Sequence, residues 1–393
     1  MPPLFLLFLS LFISVLGLSI LFPVLPPLAR EIGLSELGVG GLSAAYAVAQ
    51  FVSSPYWGRL SEKGRKKPIL IGSFGFSFGF LAFSLLIEAA YLGWLSGIPL
   101  LLALLLVRFL GGGLAAASLP AAQAYAADLT SREKRASGMA VIGAGFALGL
   151  VFGPVIGGFL AGYGLMVPLY FSVAIGLLNG IFVWLFLPDS QPAPRTAQTP
   201  KLAVRDHRIF PLLLLALALS VAGVVVNQTI AFYFQDRLGL SGAETARTVG
   251  AGLLVYGLAA AALQGWMIRG TRIAPELLLR LGLPIYLIGV VLLIPAHSFA
   301  LLVVALALQG IGQGVLGPGL MALLSLAVSE QEQGALAGLN NSAQALGRML
   351  GPLLGTGLYS LSSSATYGLS ALILVLVWLV VVLGGNKFRP KVS

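Results

Sequence analysis

The chain has 393 residues, of which 58% are hydrophobic and only 9% charged, and its mean hydropathy is +0.98. Soluble domains carry about 25% charged residues, so the composition excludes a water-soluble globular fold and reads as an all-α polytopic membrane protein. Zero cysteines exclude disulfides, thiolate metal sites and cysteine nucleophiles, and a net charge of +10 must be carried by short loops.

Apolar runs long enough to cross roughly 30 Å of hydrocarbon are expected near residues 4–28, 37–57, 68–92, 98–127, 136–160 and 164–187. A second set is expected near 209–233, 248–268, 277–296, 299–323, 334–360 and 365–385. The first run has no Lys or Arg before it and no small-residue cleavage site, so it reads as a span rather than a cleaved leader. Between the sets, residues 189–208 are polar and contain three prolines. This segment reads as a linker between an N-terminal bundle at 1–188 and a C-terminal bundle at 209–393.

The basic residues set the orientation. With both termini cytoplasmic, the inside loops and tail hold eighteen of the twenty-three Lys and Arg residues, and only Arg30, Arg237 and Arg247 fall outside. The excess charge therefore reflects topology and attraction to anionic membrane lipids. Scattered over short loops without a base-stacking platform, it does not suggest nucleic acid. His207 and His297 have no ligand spacing around them, so neither a metal nor another cofactor is implied.

Part of the chain is repeated. GFALGLVFGPVIGGFL at 145–160 aligns without gaps to AQALGRMLGPLLGTGL at 343–358. Gly149, Gly153 and Gly157 lie one turn apart beside Pro154, a stripe that permits close helix packing and, recurring in the fifth span of each half, points to a duplicated unit. Four further segments stand out: LGLSILFPVLP (16–26), GRLSEKGRKKP (58–68), Arg108 followed by Gly111–Gly113, and YAADLTSREKRA (125–136).

Together with GLVFGPVIGG (149–158), these segments resemble the signatures of the major facilitator superfamily, and within it the twelve-helix drug:proton antiporters that include the tetracycline exporters. The match is densest in the N-terminal half. In 58–68, Glu62 stands where Asp is usual and the loop glycine is shifted to Gly64; the second-half counterpart, GWMIRGTRIAP (265–275), is degenerate. The resemblance implies twelve transmembrane helices in two pseudo-symmetric six-helix bundles, alternating access, and a monomer. It also implies a cytoplasmic latch that starts at Gly58, with Glu62 as its acid, Lys66 and Lys67 beside Arg65 as its basic partners, and Asp128 as second counter-charge. Proton antiport is the family expectation.

Two arginines lie inside apolar spans, where a charge costs about 3 kcal/mol or more unless water or a partner receives it. Arg108 is near midplane, and Tyr46 and Gln50, four apart on the second span, are its expected acceptors. The second half offers Asn227 and Gln228 in span seven, Gln309 and Gln313 in span ten, and Asn341, Gln344 and Arg348 in span eleven, with Tyr256 adding aromatic surface. Because the resemblance puts helices one, four, seven and ten around the cavity, the amides of spans seven and ten are the expected substrate contacts, although any single amide can equally serve as helix glue.

All thirteen acids fall in loops or at span ends, which leaves Glu88, Asp128 and Glu31 as the candidate proton-coupling groups. The chain thus reads as a non-enzymatic exporter of amphipathic small molecules in the cytoplasmic membrane. A lipid or lysolipid flippase, or an organic-anion exporter using the midplane arginines, remains open. So does a membrane enzyme or receptor, though no midplane nucleophile, acid pair or metal cluster is present to support it.

Overall fold

A computed structural model describes residues 3–130, 135–189, 202–268, 273–329 and 332–383. The helices are α1 (Pro3–Ser19), α2 (Leu21–Glu31), α3 (Glu36–Ser61), α4 (Lys66–Tyr91), α5 (Gly97–Ala115), α6 (Ser118–Asp128), α7 (Arg135–Ala161) and α8 (Val167–Phe186), then α9 (Phe210–Leu238), α10 (Gly242–Ile268), α11 (Pro275–Leu293), α12 (Phe299–Leu326), α13 (Gln333–Tyr359) and α14 (Ser363–Leu383).

Two expected spans are broken helices. The first divides into α1 and α2 at Ile20 and the fourth into α5 and α6 at Ala116–Ala117. Each break has a proline three or four residues downstream, Pro23 and Pro120, whose ring nitrogen cannot donate to the carbonyl one turn back. Among the described residues, eleven helical stretches are long and apolar enough to cross a membrane. The polar face of α13 keeps this 27-residue helix out of that set. Most of the expected linker, residues 190–201, lies outside the described residues, as do Arg132, Lys134, Arg269, Arg272 and the three bases of the tail.

The chain divides into two compact units, Met1–Arg195 with Leu240–Ala251, and Thr196–Gly239 with Gly252–Ser393. The first unit thus includes the opening turns of α10, which the sequence assigns to the second bundle.

Unit 1 is built on glycine. Added Cβ atoms at Gly145, Gly149, Gly153 and Gly157 of α7 would lie 2.8, 2.8, 2.7 and 2.5 Å from the carbonyl oxygens of Phe8, Phe12, Leu16 and Ile20. The stripe advances four residues at a time along both α7 and the α1–α2 helix, so the two run parallel in register with their backbones in contact. Its expected close packing is therefore with the first span. Ser19 adds a hydrogen bond to the Gly149 carbonyl at 2.8 Å.

Unit 2 repeats the device. Gly347, Gly351 and Gly355 of α13 meet Ser220, Val224 and Val225 of α9, and Ser220 Oγ donates to the Gln344 carbonyl at 3.0 Å. A second echo was not apparent from sequence: Gly112 of α5 abuts the Tyr46 backbone of α3, and Gly310 of α12 abuts the Tyr256 backbone of α10.

Candidate functional site

Arg108 is the residue least at ease in the first unit. Gly111 lies against Gly79 of α4 and Gly112 against Tyr46 of α3, so α5 sits deep between its neighbours and the guanidinium is only 6% exposed. Three aromatic rings surround it, with the Tyr46 centroid 4.4 Å, Phe83 5.4 Å and Phe80 5.7 Å from its Cζ. Its Nε is buried without a hydrogen-bond partner, so the expected Gln50 amide does not reach it. Tyr46 does meet Arg108, but as a ring face. The cavity beside it, lined by Phe76, Gly79, Val107 and Gly111 as well as Tyr46 and Phe80, is about 10 Å³, room for a single water. Phe80 and Phe83 escaped the sequence reading because a chain with twenty-two Phe gives no signal for which of them surround a charge.

At the other end of this unit Arg65 is the pivot. Its Nε donates to Asp128 Oδ2 at 2.7 Å and its Nη1 to the Ser61 carbonyl at 2.9 Å, and the side chain is 7% exposed. The base that engages Asp128 is Arg65, where the resemblance implied Lys66 and Lys67; these two open α4 with their side chains half-buried and exposed. The planar guanidinium can hold a carboxylate and a carbonyl together, which a lysine point charge does less well. Gly58 has open space where a side chain would be, and Glu62 caps α3 from an exposed position.

The candidate coupling acids are each held by a tyrosine or arginine. Glu88 of α4 accepts from Tyr170 of α8, and Glu31 of α2 accepts from Tyr91 of α4 at 2.5 Å. No acid lies midway along a described span, so the midplane of unit 1 carries positive charge without a carboxylate to neutralise it.

In unit 2 the expected polar residues divide into two groups. Gln309 is 1% exposed and donates to the Gly289 carbonyl of α11 at 3.2 Å, which makes it a packing amide rather than a free substrate contact. Tyr256 packs its backbone on Gly310, and Gln344 gives its carbonyl to Ser220. By contrast Asn227, Gln313, Asn341 and Arg348 are exposed, with Gln228 and Gln344 half-buried. Exposed polar groups within spans face water rather than lipid, because hydrocarbon offers them no partner.

Sequence reasoning missed two buried amides. Asn179 Nδ2 ties α8 to Ser14 of α1 and Ser73 of α4 at 3.0 and 3.2 Å. Asn340, beside the singled-out Asn341, faces inward onto Met321. It also missed Arg208, whose guanidinium grips Asp206 at 2.8 Å and Glu332 at 2.9 Å, tying the start of α9 to the start of α13. Hydrogen bonds from the Arg208 side chain and backbone hold the Asp206 carboxyl down at about 2. The Arg208 side chain, with Ser329, holds Glu332 at about 2. The sequence signal was there: Ser329 and Glu332 form an S-x-x-E pattern ahead of a helix.

The profile of the Major Facilitator Superfamily matches residues 7–278 and 266–392. The chain belongs to that superfamily. It is 28% identical over 367 residues to multidrug resistance protein 2 of Bacillus subtilis, covering 90% of this chain and 88% of that one. Identity to the class C tetracycline resistance protein of Escherichia coli is also 28%, over 386 residues, with 94% and 92% covered. Among solved structures, the human organic anion transporter MFSD10 superposes with a TM-score of 0.70 at 22% identity, covering 97% of this chain and all of the other. These relationships make the protein a multi-pass membrane transporter related to drug-efflux antiporters, and not an enzyme.

Proposed function

We propose that this transporter exports amphipathic, drug-like small molecules across the cytoplasmic membrane by alternating access, with protons moving inward and both termini in the cytoplasm. The observation that carries the reading is the exposure of polar side chains within the spans of unit 2, Asn227 of α9, Gln313 of α12 and Asn341 and Arg348 of α13. Such groups can hydrogen-bond the polar end of an amphiphile while neighbouring apolar side chains hold the rest. Nearly full-length similarity to multidrug and tetracycline resistance proteins supports the same reading.

One observation favours a second reading. Arg348 is an exposed cation in a span, and no acid lies midway along any described span, a field suited to anionic or zwitterionic amphiphiles. Arg108 is a poor receptor for such a group, because three rings enclose it and its cavity admits only a water.

Uptake into proteoliposomes under an imposed pH gradient, with matched cationic, neutral and anionic amphiphiles, tests both. Export predicts gradient-driven flux of at least one class and its loss in Arg348→Ala for anions alone. Absence of flux for all three classes, with the protein reconstituted and folded, would overturn it.

A further inference from the structure

We infer that the Trp57 indole of α3 is a clasp that fixes the bend of the broken fourth span, by holding the Gly113 carbonyl that the break sets free. The inference goes beyond the export reading and depends on neither the substrate nor the coupling ion.

In an unbroken helix the Gly113 carbonyl would accept from the N–H of Ala117, four residues on. At the break that N–H turns instead to the Leu114 carbonyl at 3.1 Å, while the Ala116 N–H keeps its ordinary partner, Gly112, at 3.0 Å. The Gly113 oxygen is thus left outside the main-chain ladder within a membrane-spanning stretch, where an unpaired carbonyl is costly. Pro120 deepens the break, because it has no N–H to offer the Ala116 carbonyl.

Side chains of α3 take the place of the missing donor. Trp57 Nε1 donates to the Gly113 carbonyl at 2.6 Å, and Ser53 Oγ lies 3.1 Å from the same oxygen. The serine has a single proton and also donates to the Ala49 carbonyl at 2.7 Å. The indole N–H has no second acceptor to serve, which makes Trp57 the principal partner. Trp57 and Ser53 are four residues apart, on the side of α3 that carries Tyr46, whose backbone packs on Gly112. Against α4 the break meets bare backbone: a Cβ at Gly72 would lie 2.1 Å from Ser118 Oγ and 2.7 Å from the Ser118 nitrogen.

Two arrangements compete for one carbonyl. In the arrangement observed, Gly113 is bonded to Trp57 and the span is broken at Ala116–Ala117. In the other, the Ala117 N–H returns to Gly113, the span straightens and the indole is released. One hydrogen bond is exchanged for another, so the two lie close in free energy, and Pro120 keeps the straight form from completing its ladder. The last residue of α6 is Asp128, which Arg65 holds at 2.7 Å. Straightening at the break moves that end of the segment, so Trp57 is a positioning residue: it sets where α6 presents Asp128 to Arg65.

The chain has no cysteine, so spin labels at Val52→Cys on α3 and Leu129→Cys just beyond α6, both exposed and both in the first unit, report without background where the end of α6 lies. In lipid nanodiscs without substrate or gradient, pulsed electron resonance should find one dominant distance between them. Replacing Trp57 by benzothienylalanine, which keeps the bicyclic ring but puts sulfur where the N–H stood, should raise a second distance component about fivefold, the worth of one net hydrogen bond. Trp57→Phe should do the same and Ser53→Ala should change the distribution little. Pro120→Ala, which gives Ala116 its missing donor, should raise the second component with Trp57 intact. Thermal unfolding of each variant separates a hinge from simple packing. A distribution unaltered by benzothienylalanine, whether or not stability falls, overturns the clasp and leaves Trp57 as a packing residue. A Ser53→Ala effect as large as that of Trp57 overturns the assignment to the indole, and a Pro120→Ala distribution like the native one overturns the exchange with Ala117.

Discussion

Two glycines of one helix make a matched pair. At Gly153 of α7 a Cβ would lie 1.9 Å from Ser19 Oγ, 2.7 Å from the Leu16 carbonyl and 3.0 Å from the Ile20 nitrogen, whereas at Gly143 it would meet nothing within 4 Å. The Ser19 hydroxyl can rotate, but it then loses its bond to the Gly149 carbonyl, and the Leu16 carbonyl and Ile20 nitrogen are backbone that must move bodily. Replacing Gly by Ala in a helix gains about 1 kcal/mol of propensity, and overpacking a close seam costs about 1–3 kcal/mol. Gly143→Ala should therefore stabilise by up to about 1 kcal/mol. Gly153→Ala should be neutral to about 2 kcal/mol destabilised, and Gly153→Leu, with three more carbons to place, worse than either. Thermal unfolding in detergent, followed by loss of the monodisperse chromatographic peak, ranks the three variants. If Gly153→Ala and Gly143→Ala shift the midpoint equally upward, α7 does not contact α1 through this face and the registered seam is wrong.

Asp128→Asn leaves the buried Arg65 guanidinium without its carboxylate and should cost about 3 kcal/mol; a coupling energy below about 0.5 kcal/mol in a cycle with Arg65→Ala would reduce the pair to a surface ornament. Because the Asp206 and Glu332 carboxyls are held near 2, below their ordinary values, their contribution to stability is complete above about pH 4.5 and disappears as pH falls towards 2. Arg208→Ala should flatten that part of the stability–pH curve, and an unchanged slope in the variant would remove the cluster from the account. Gln309→Leu should lose about 1 kcal/mol with its bond to Gly289 and leave the KM for transport unaltered; a raised KM with normal stability would return Gln309 to the substrate face.

How legible each feature was depended on whether a residue acts through its backbone or its side chain. The glycine repeat could be read because contact between helix backbones requires the absence of a side chain, and that absence is written at fixed spacing at Gly149, Gly153 and Gly157 and again at Gly347, Gly351 and Gly355. The twelve spans followed from hydropathy, and α13 stands apart from the apolar set because of the polar residues it carries. The breaks at Ile20 and Ala116–Ala117 were foreshadowed by Pro23 and Pro120 without being drawn as breaks. Side-chain partners were harder. Lys66, Lys67 and Arg65 are equally basic in a string of letters, and only the turn into α4 decides that Arg65 points at Asp128. Gln309 and Gln313 share a helical spacing, yet one is sealed against Gly289 of α11 and the other is exposed, a difference set by what packs against each position rather than by either residue.

Arg108 shows what its surroundings contribute and what they leave undone. A guanidinium at the centre of a span costs about 2.5–3.5 kcal/mol by insertion measures, and a desolvated cation–π contact returns about 2 kcal/mol. The Tyr46 ring at 4.4 Å is close enough to supply most of that return, while Phe83 and Phe80 beyond 5 Å add less, and the buried Nε has no partner. The balance leaves the arginine at a net cost on the order of 1 kcal/mol, as expected of a residue kept for what it does rather than for the fold. Arg108→Leu should then be as stable as the native chain or about 1 kcal/mol more stable, while transport falls. If its task is to bind an anionic group in a conformation where the cage opens, flux of anionic amphiphiles should fall far more than flux of neutral ones. If it sets the proton affinity of a distant acid, substrate binding should survive at every charge and only the response to a pH gradient should be lost. Binding isotherms at two pH values, paired with gradient-driven flux, separate these outcomes. Destabilisation of 2 kcal/mol or more in Arg108→Leu would overturn the premise, because it would show that the three rings and the guanidinium hold the helices together and that the arginine is structural.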